Sequence, residues 1–172
     1  MRLPPMVSFV GPSGTGKTTL IERVIVELTH RGFRIGVLKH DAHRLELDKP
    51  GKDTWRFRQA GAWRAVIVGD EQMAIFSAVD GELSLGGVAA ETLLDADLVI
   101  TEGFRQARLP TIRVFRAARP VGDWQALTEP IAWVSDVPHQ VDVPVIPLDQ
   151  PSLVADFLAE RFLGAAGHHR RA

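Results

Sequence analysis

Met6-Val7-Ser8-Phe9-Val10-Gly11-Pro12-Ser13-Gly14-Thr15-Gly16-Lys17-Thr18-Thr19-Leu20 is the stretch that decides the fold. Met6 to Val10 is a strand-length, mostly apolar run, and Gly11 to Gly16 is a glycine-rich loop. Beyond it Leu20, Ile21, Val24, Ile25 and Leu28 recur at helical spacing, with Gly32 as the stop signal. Gly11-x-x-x-x-Gly16-Lys17-Thr18 matches the Walker A phosphate loop in full, with a strand before it and a helix after it. Each residue type has a reason. Glycines let the backbone curl so that N–H groups face phosphate oxygens, and the helix N-terminus adds partial positive charge. Lys17 is expected on the β- and γ-phosphates, Thr18 on Mg²⁺ and Thr19 near the α-phosphate; Pro12, Ser13, Gly14 and Thr15 complete the cradle.

Outward from the loop, strands and helices alternate. Arg34–Lys39, Ala65–Val68, Asp97–Thr101, Thr111–Phe115, Ile131–Val134 and Val145–Ile146 read as strands. Short helices are expected from Asp53 or Thr54 to Gly61, with either residue as the cap, and from about Val88 to Leu94. A C-terminal helix carries Leu153, Val154, Phe157, Leu158 and Phe162, with Pro151 in its first turn. Asp80-Gly81, between Met73–Val79 and Glu82–Leu85, is a two-residue hairpin signal that interrupts the alternation. The expected fold is α/β of the P-loop NTPase type: a mostly parallel sheet with helices on both faces and an inserted β-hairpin. One domain spans 1–163, and 164–172 reads as a frayed tail.

Composition narrows the function. The 172 residues include 20 basic and 21 acidic ones, a net charge of -1, which argues against broad binding to nucleic acid or to a membrane surface. The absence of cysteine excludes disulfides and thiolate chemistry. No run is long enough to cross a bilayer, and the start, broken by Pro4-Pro5, carries no secretory pattern. A cytoplasmic protein is expected.

A Mg²⁺-bound phosphate chain also needs carboxylates, and ligands of open α/β sheets bind outside the C-terminal ends of the strands. Asp41, after the second strand, and Glu102, before Gly103, fall at such ends; Asp97 lies at the far end of its strand. The usual Asn-Lys-x-Asp guanine reader is absent. Val134-Ser135-Asp136 stands in the corresponding place, where Asp136 either accepts from guanine N1 and N2 or belongs to a turn before Pro138.

Lys39-His40-Asp41-Ala42-His43, then Asp48-x-x-Gly51-Lys52-Asp53-Thr54-x-Arg56-x-Arg58-x-Ala60-Gly61-Ala62, then Asp97-Leu98-Val99-Ile100-Thr101-Glu102-Gly103-Phe104 resemble the MobB family of molybdopterin-guanine dinucleotide biosynthesis adapter proteins. The resemblance runs from the first strand to about Val145. It implies a P-loop class shared with dethiobiotin synthetase and metallochaperone GTPases, with GTP bound together with Mg²⁺, slow hydrolysis and a homodimer. It further implies assistance to the molybdopterin guanylyltransferase that couples molybdopterin to GMP, with molybdopterin itself a second candidate ligand. Asp41 and Glu102 take the metal and water roles in that family pattern.

Several clusters stay open. His40, Asp41 and His43 suit either a metal or polar contacts around a triphosphate. Lys52, Arg56 and Arg58 suit either phosphate contacts or a solvated helix face. Arg105, Arg108, Arg113, Arg116 and Arg119 suit either a groove for an anion or a charged surface, with Arg105 a candidate finger after Glu102. Trp55, Trp63, Trp124 and Trp133 read as core or interface residues. The rival functions are a small-molecule kinase using ATP and a non-catalytic nucleotide-binding adapter.

Overall fold

The structure is a computed structural model that describes residues 2–40, 47–79, 84–104, 108–119 and 128–164. The chain forms two compact units, one of Met1–His40 with Leu85–Ala172 and one of Asp41–Ser84.

The larger unit is built on a six-stranded sheet. Its strands are β1 (Met6–Val10), β2 (Ile35–Lys39), β5 (Leu98–Glu102), β6 (Thr111–Phe115), β7 (Pro130–Ser135) and β8 (Val145–Pro147), in the order β2-β5-β1-β6-β7-β8. All five pairings are parallel. The helices are α1 (Lys17–His30), α3 (Leu85–Thr92) and α4 (Pro151–Leu158), the last extended by a π-helical turn at Ala159–Leu163.

Period-2 alternation divides the strands between two faces. Val7 and Phe9, Leu98 and Ile100, Ile112 and Val114, and Ala132 and Val134 join Leu20, Ile21, Val24 and Leu28 of α1 and Val154, Ala155 and Leu158 of α4 in one buried core. Arg31 at the end of α1 is paired with Asp156 of α4 at 2.7 Å. The opposite face is covered at the β2 edge, where Leu93 and Ala96, just past α3, pack on Gly36, the register partner of Val99. Pro151 opens α4 as expected. Among the described residues no helix is long and apolar enough to cross a membrane.

The smaller unit holds α2 (Asp53–Gln59) and an antiparallel pair, β3 (Arg64–Val68) with β4 (Met73–Ser77). Three expectations are corrected here. Ala65–Val68 is not a buried strand of the main sheet: Val66, Ile67 and Val68 are exposed. Its apolar run resembles that of a buried parallel strand, and a run alone does not separate the two. The antiparallel pair that is present, β3 with β4, turns across Gly69–Gln72, where Gly69 N–H donates to the Gln72 carbonyl at 2.8 Å. Asp80 and Gly81 lie outside the described residues, and Leu85 opens α3 rather than ending a strand. The residue at the N-cap of α2 is Lys52; the Thr54 hydroxyl donates to Asp48 at 2.9 Å instead of capping the helix.

At the C-terminal ends of the strands, β2 and β5 are held together tightly. His40 N–H donates to the Glu102 carbonyl at 2.9 Å. Gly103 follows with φ 92°, and a Cβ there would lie 2.5 Å from the His40 carbonyl oxygen. This glycine is required twice, by conformation and by space. Below it, Ser8 of β1 and Thr101 of β5 are register partners on the face away from α1, both buried, and neither hydroxyl has a hydrogen-bond partner.

Two stability measurements test these points. Gly103→Ala is expected to lose about 2 kcal/mol or more of unfolding free energy, against about 1 for Gly51→Ala, whose φ is also positive but whose surroundings are open. Equal losses in urea denaturation would mean that the approach to His40 is unimportant. Thr101→Val is expected to leave stability unchanged or raise it by about 1 kcal/mol, because an orphaned hydroxyl is replaced by a group of the same shape. A loss of that size would show that the hydroxyl has a partner.

Candidate functional site

The loop between β1 and α1 owes its shape to three glycines. Gly14 and Gly16 adopt φ 76° and 89°, in the left-handed region that favours glycine. Gly11 is needed for space, since a Cβ on it would meet the Val114 carbonyl oxygen at 2.3 Å. Gly16 is the N-cap of α1, so no side chain caps the helix, and its first turn holds no acidic residue. The first amides and the positive end of the helix dipole are thereby left for an external acceptor.

Two side chains brace the loop from within. The Thr15 hydroxyl donates to the Pro12 carbonyl at 3.0 Å, and Lys17 Nζ donates to the same oxygen at 2.8 Å. The ammonium thus lies over the loop rather than pointing to solvent. One turn on, the Thr18 hydroxyl lies 3.1 and 3.3 Å from the two carboxylate oxygens of Glu102. The helix start and the end of β5 therefore present an oxygen-only pair, the donor set that a hard divalent cation prefers. Asp97, at the other end of β5, accepts the Arg34 N–H at 2.7 Å and is a structural residue.

Sequence-predicted residues fall into three groups. The loop residues, Lys17, Thr18 and Glu102 are brought together, and Thr19 follows on α1 as an exposed residue. Asp136 stands nearby at the end of β7, where its Oδ1 accepts the Ala117 N–H at 2.8 Å, past the end of β6. Asp41, His43, Arg105 and Trp124 lie outside the described residues. His40 packs its ring against Phe104, with centroids 5.3 Å apart. Among the described residues no three of His, Cys, Asp and Glu are grouped so as to hold a metal by themselves.

Other expectations resolve into scaffold. Arg58 pairs at 2.9 Å with Asp48, which also accepts from Thr54, so the loop before α2 is pinned to the helix. The Arg113 guanidinium stacks on Trp133 at 4.5 Å, and burial lowers it from its usual value. Next to it His139 packs against Phe115 and Trp133, and its Nε2 lies 2.8 Å from the Ser135 hydroxyl, which accepts the Val137 N–H at 3.1 Å. The Ser135–Asp136 segment is thus a serine turn as well as a strand end.

Sequence reasoning left the placement of two arginines open. Arg116 Nη2 lies 3.4 Å from where a Cβ on Gly16 would stand, and Arg119 Cζ lies 3.2 Å from the corresponding point on Gly14. The basic stretch of the sequence was a signal for them, but not for their landing on the phosphate loop.

Comparison with known proteins agrees with this architecture. Residues 6–136 match the family model described as MobB, molybdopterin guanine dinucleotide synthesis protein B. The molybdopterin-guanine dinucleotide biosynthesis adapter protein of Haemophilus influenzae is 34% identical over 165 residues, covering 90% of this chain and 87% of its own length. The Escherichia coli protein of the same name is 34% identical over 161 residues, covering 91% and 92%. A crystal structure of molybdopterin-guanine biosynthesis protein B superposes with a TM-score of 0.73 at 32% identity, covering 90% of this chain and 98% of that one. With the family model spanning most of the chain and the phosphate loop, β5 and the β7 turn all inside the match, the chain belongs to the MobB family.

Proposed function

We propose that this protein is a Mg²⁺-dependent GTP-binding adapter that assists a guanylyltransferase in attaching GMP to molybdopterin. The observation that carries the reading is the meeting of Lys17, Thr18 and Glu102 around a helix N-terminus left without a cap. The pathway comes from family membership and from the names of relatives that match almost end to end.

In this reading the loop amides and the α1 dipole take the phosphate chain, and Lys17 swings from the Pro12 carbonyl to the β- and γ-phosphates. Thr18 and Glu102 hold Mg²⁺, which when bound neutralises phosphate charge. Asp41 directly follows His40, whose N–H is bonded to the Glu102 carbonyl, and it serves as the second carboxylate. The assigned groups grip phosphates; fast hydrolysis also needs a group that positions water and one that follows the developing charge, so turnover by the chain alone is slow. Guanine is read by Asp136. To accept from both N1 and N2, its carboxylate must share or release the Ala117 N–H.

The exposed apolar side chains of the β3–β4 ribbon support the homodimer. Val66, Ile67, Val68, Met73 and Ile75 are each at least 44% exposed, more than a small unit leaves to water without a use. The chain then works in the cytoplasm as a paired platform for the guanylyltransferase and for molybdopterin.

Calorimetric titration with GTP and ATP, with and without Mg²⁺, tests the nucleotide. Mg²⁺-dependent GTP binding is expected to be at least about tenfold tighter than ATP binding, a difference of about 1.4 kcal/mol. Lys17→Ala should abolish both. Asp136→Asn keeps an oxygen for Ala117 N–H but removes the charged acceptor, and should erase the GTP preference without changing the melting temperature. Equal or tighter ATP binding by the unaltered protein would sink the guanine reading and bring forward the ATP-dependent small-molecule kinase. For the dimer, sedimentation of Val66→Lys/Val68→Lys should show monomer at concentrations where the unaltered chain is dimeric; an unchanged dimer would exclude the ribbon as its interface.

A further inference from the structure

Three cationic side chains converge on the six residues of the loop. Lys17 bends over it from α1. Arg116 and Arg119 reach it from the turn after β6, with guanidinium atoms 3.4 Å and 3.2 Å from where side chains on Gly16 and Gly14 would begin. That turn is fixed. Arg119 N–H donates to the Arg116 carbonyl at 3.0 Å, and the Ala117 N–H between them is held by Asp136 at 2.8 Å. Among the described residues neither arginine forms an ion pair, although Arg31, Arg34, Arg56 and Arg58 all do.

The arrangement is one-sided. In the order β5-β1-β6 the loop leaves β1 with Glu102 on its β5 flank and the two arginines on its β6 flank. Glu102 is engaged with Thr18. Two guanidinium groups held side by side against the loop, neither in an ion pair among the described residues, repel one another, and an anion between them relieves it. The guanidinium fork matches a phosphate with two parallel hydrogen bonds, which a lysine cannot do.

We propose that Arg116 and Arg119 are phosphate ligands of the bound nucleotide, gripping from the β6 flank the oxygens that the Glu102 flank leaves to them. This inference rests on the reading of the loop as the nucleotide site. It makes the site two-walled, with a carboxylate and hydroxyl wall for the metal and a guanidinium wall for the phosphates. It also gives Asp136 a second task, since its bond to Ala117 sets the position of both arginines.

The test is calorimetry with Mg·GTP and with inorganic tripolyphosphate, on the full chain and on Arg116→Ala, Arg119→Ala, the double alanine variant and the double lysine variant. Both side chains are exposed, so the variants should melt with the parent. The double alanine variant is expected to weaken both ligands by the same factor, at least about tenfold, with a shallower salt dependence. The lysine variant should recover part of the loss, as a point charge without the fork. Unchanged or tighter binding in the double alanine variant would overturn the proposal, because the arginines would then merely lie on the loop. A loss confined to GTP would also overturn it, placing them on the base or ribose. Failure of the unaltered protein to bind either ligand would instead bring down the nucleotide-site reading on which the proposal rests.

Discussion

Gly11 lies against β6 so closely that one added methyl would reach within 2.3 Å of the Val114 carbonyl oxygen. That contact fixes where the phosphate loop starts, and most of the site follows from it. β1 runs between β5 and β6 with Phe9 level with Glu102 and Val10 level with Arg113. Three neighbouring strand ends therefore lie side by side, β5 ending one residue short of β1 and β6 running two residues past it. β5 brings a carboxylate, β1 brings the loop, and β6 brings a turn with two arginines. Protein interiors are packed too densely for a backbone so placed to shift without moving its neighbours. A larger residue at Gly11 would part β1 from β6, and with them the loop from its guanidinium wall.

The sequence made the central part of this legible because the signals there were redundant. Strand, glycine loop, lysine, threonine and helical period all pointed the same way from Met6 to Gly32. Glu102 was readable from its place at a strand end. The smaller unit was harder, since Ala65–Val68 and Met73–Ser77 pair with each other and stay outside the main sheet. A run of apolar residues records a preference for extended backbone and does not record which strand will be its neighbour. The turn between β3 and β4 is made at Gly69–Gln72, by a segment with turn residues of its own, ahead of the stronger Asp80-Gly81 signal, which lies outside the described residues. Arg116 and Arg119 were visible as charge and invisible as position, because their approach to the loop depends on a parallel pairing between strands about a hundred residues apart.

Asp136 shows why residue type alone did not separate site from scaffold. A serine and aspartate after a strand suit a turn, and they also suit a base reader. The structure gives the pair a structural job, with Ser135 accepting from Val137 and Asp136 accepting from Ala117. A carboxylate has more acceptor positions than one N–H fills, so a second task is compatible with the first. The two tasks are then coupled, since any pull on Asp136 by a base is felt by the turn that carries the arginines.

Whether a polar group has found its partners inside the chain distinguishes the two classes. Asp48, Thr54 and Arg58 satisfy one another, and Asp97 is consumed by Arg34; these hold backbone in place. Ser8 and Thr101 are unsatisfied but sealed in the sheet, where no ligand reaches them. Among the described residues, exposed cations, an uncapped helix start and a metal-type oxygen pair coincide around the loop alone. The overall charge of -1 hides this, because the sum over the chain cancels a local excess that its topology assembles from two separate segments, the start of α1 and the turn after β6. A chain whose charges nearly cancel can still gather cations locally, and the parallel order β5-β1-β6 is what brings these ones to the loop.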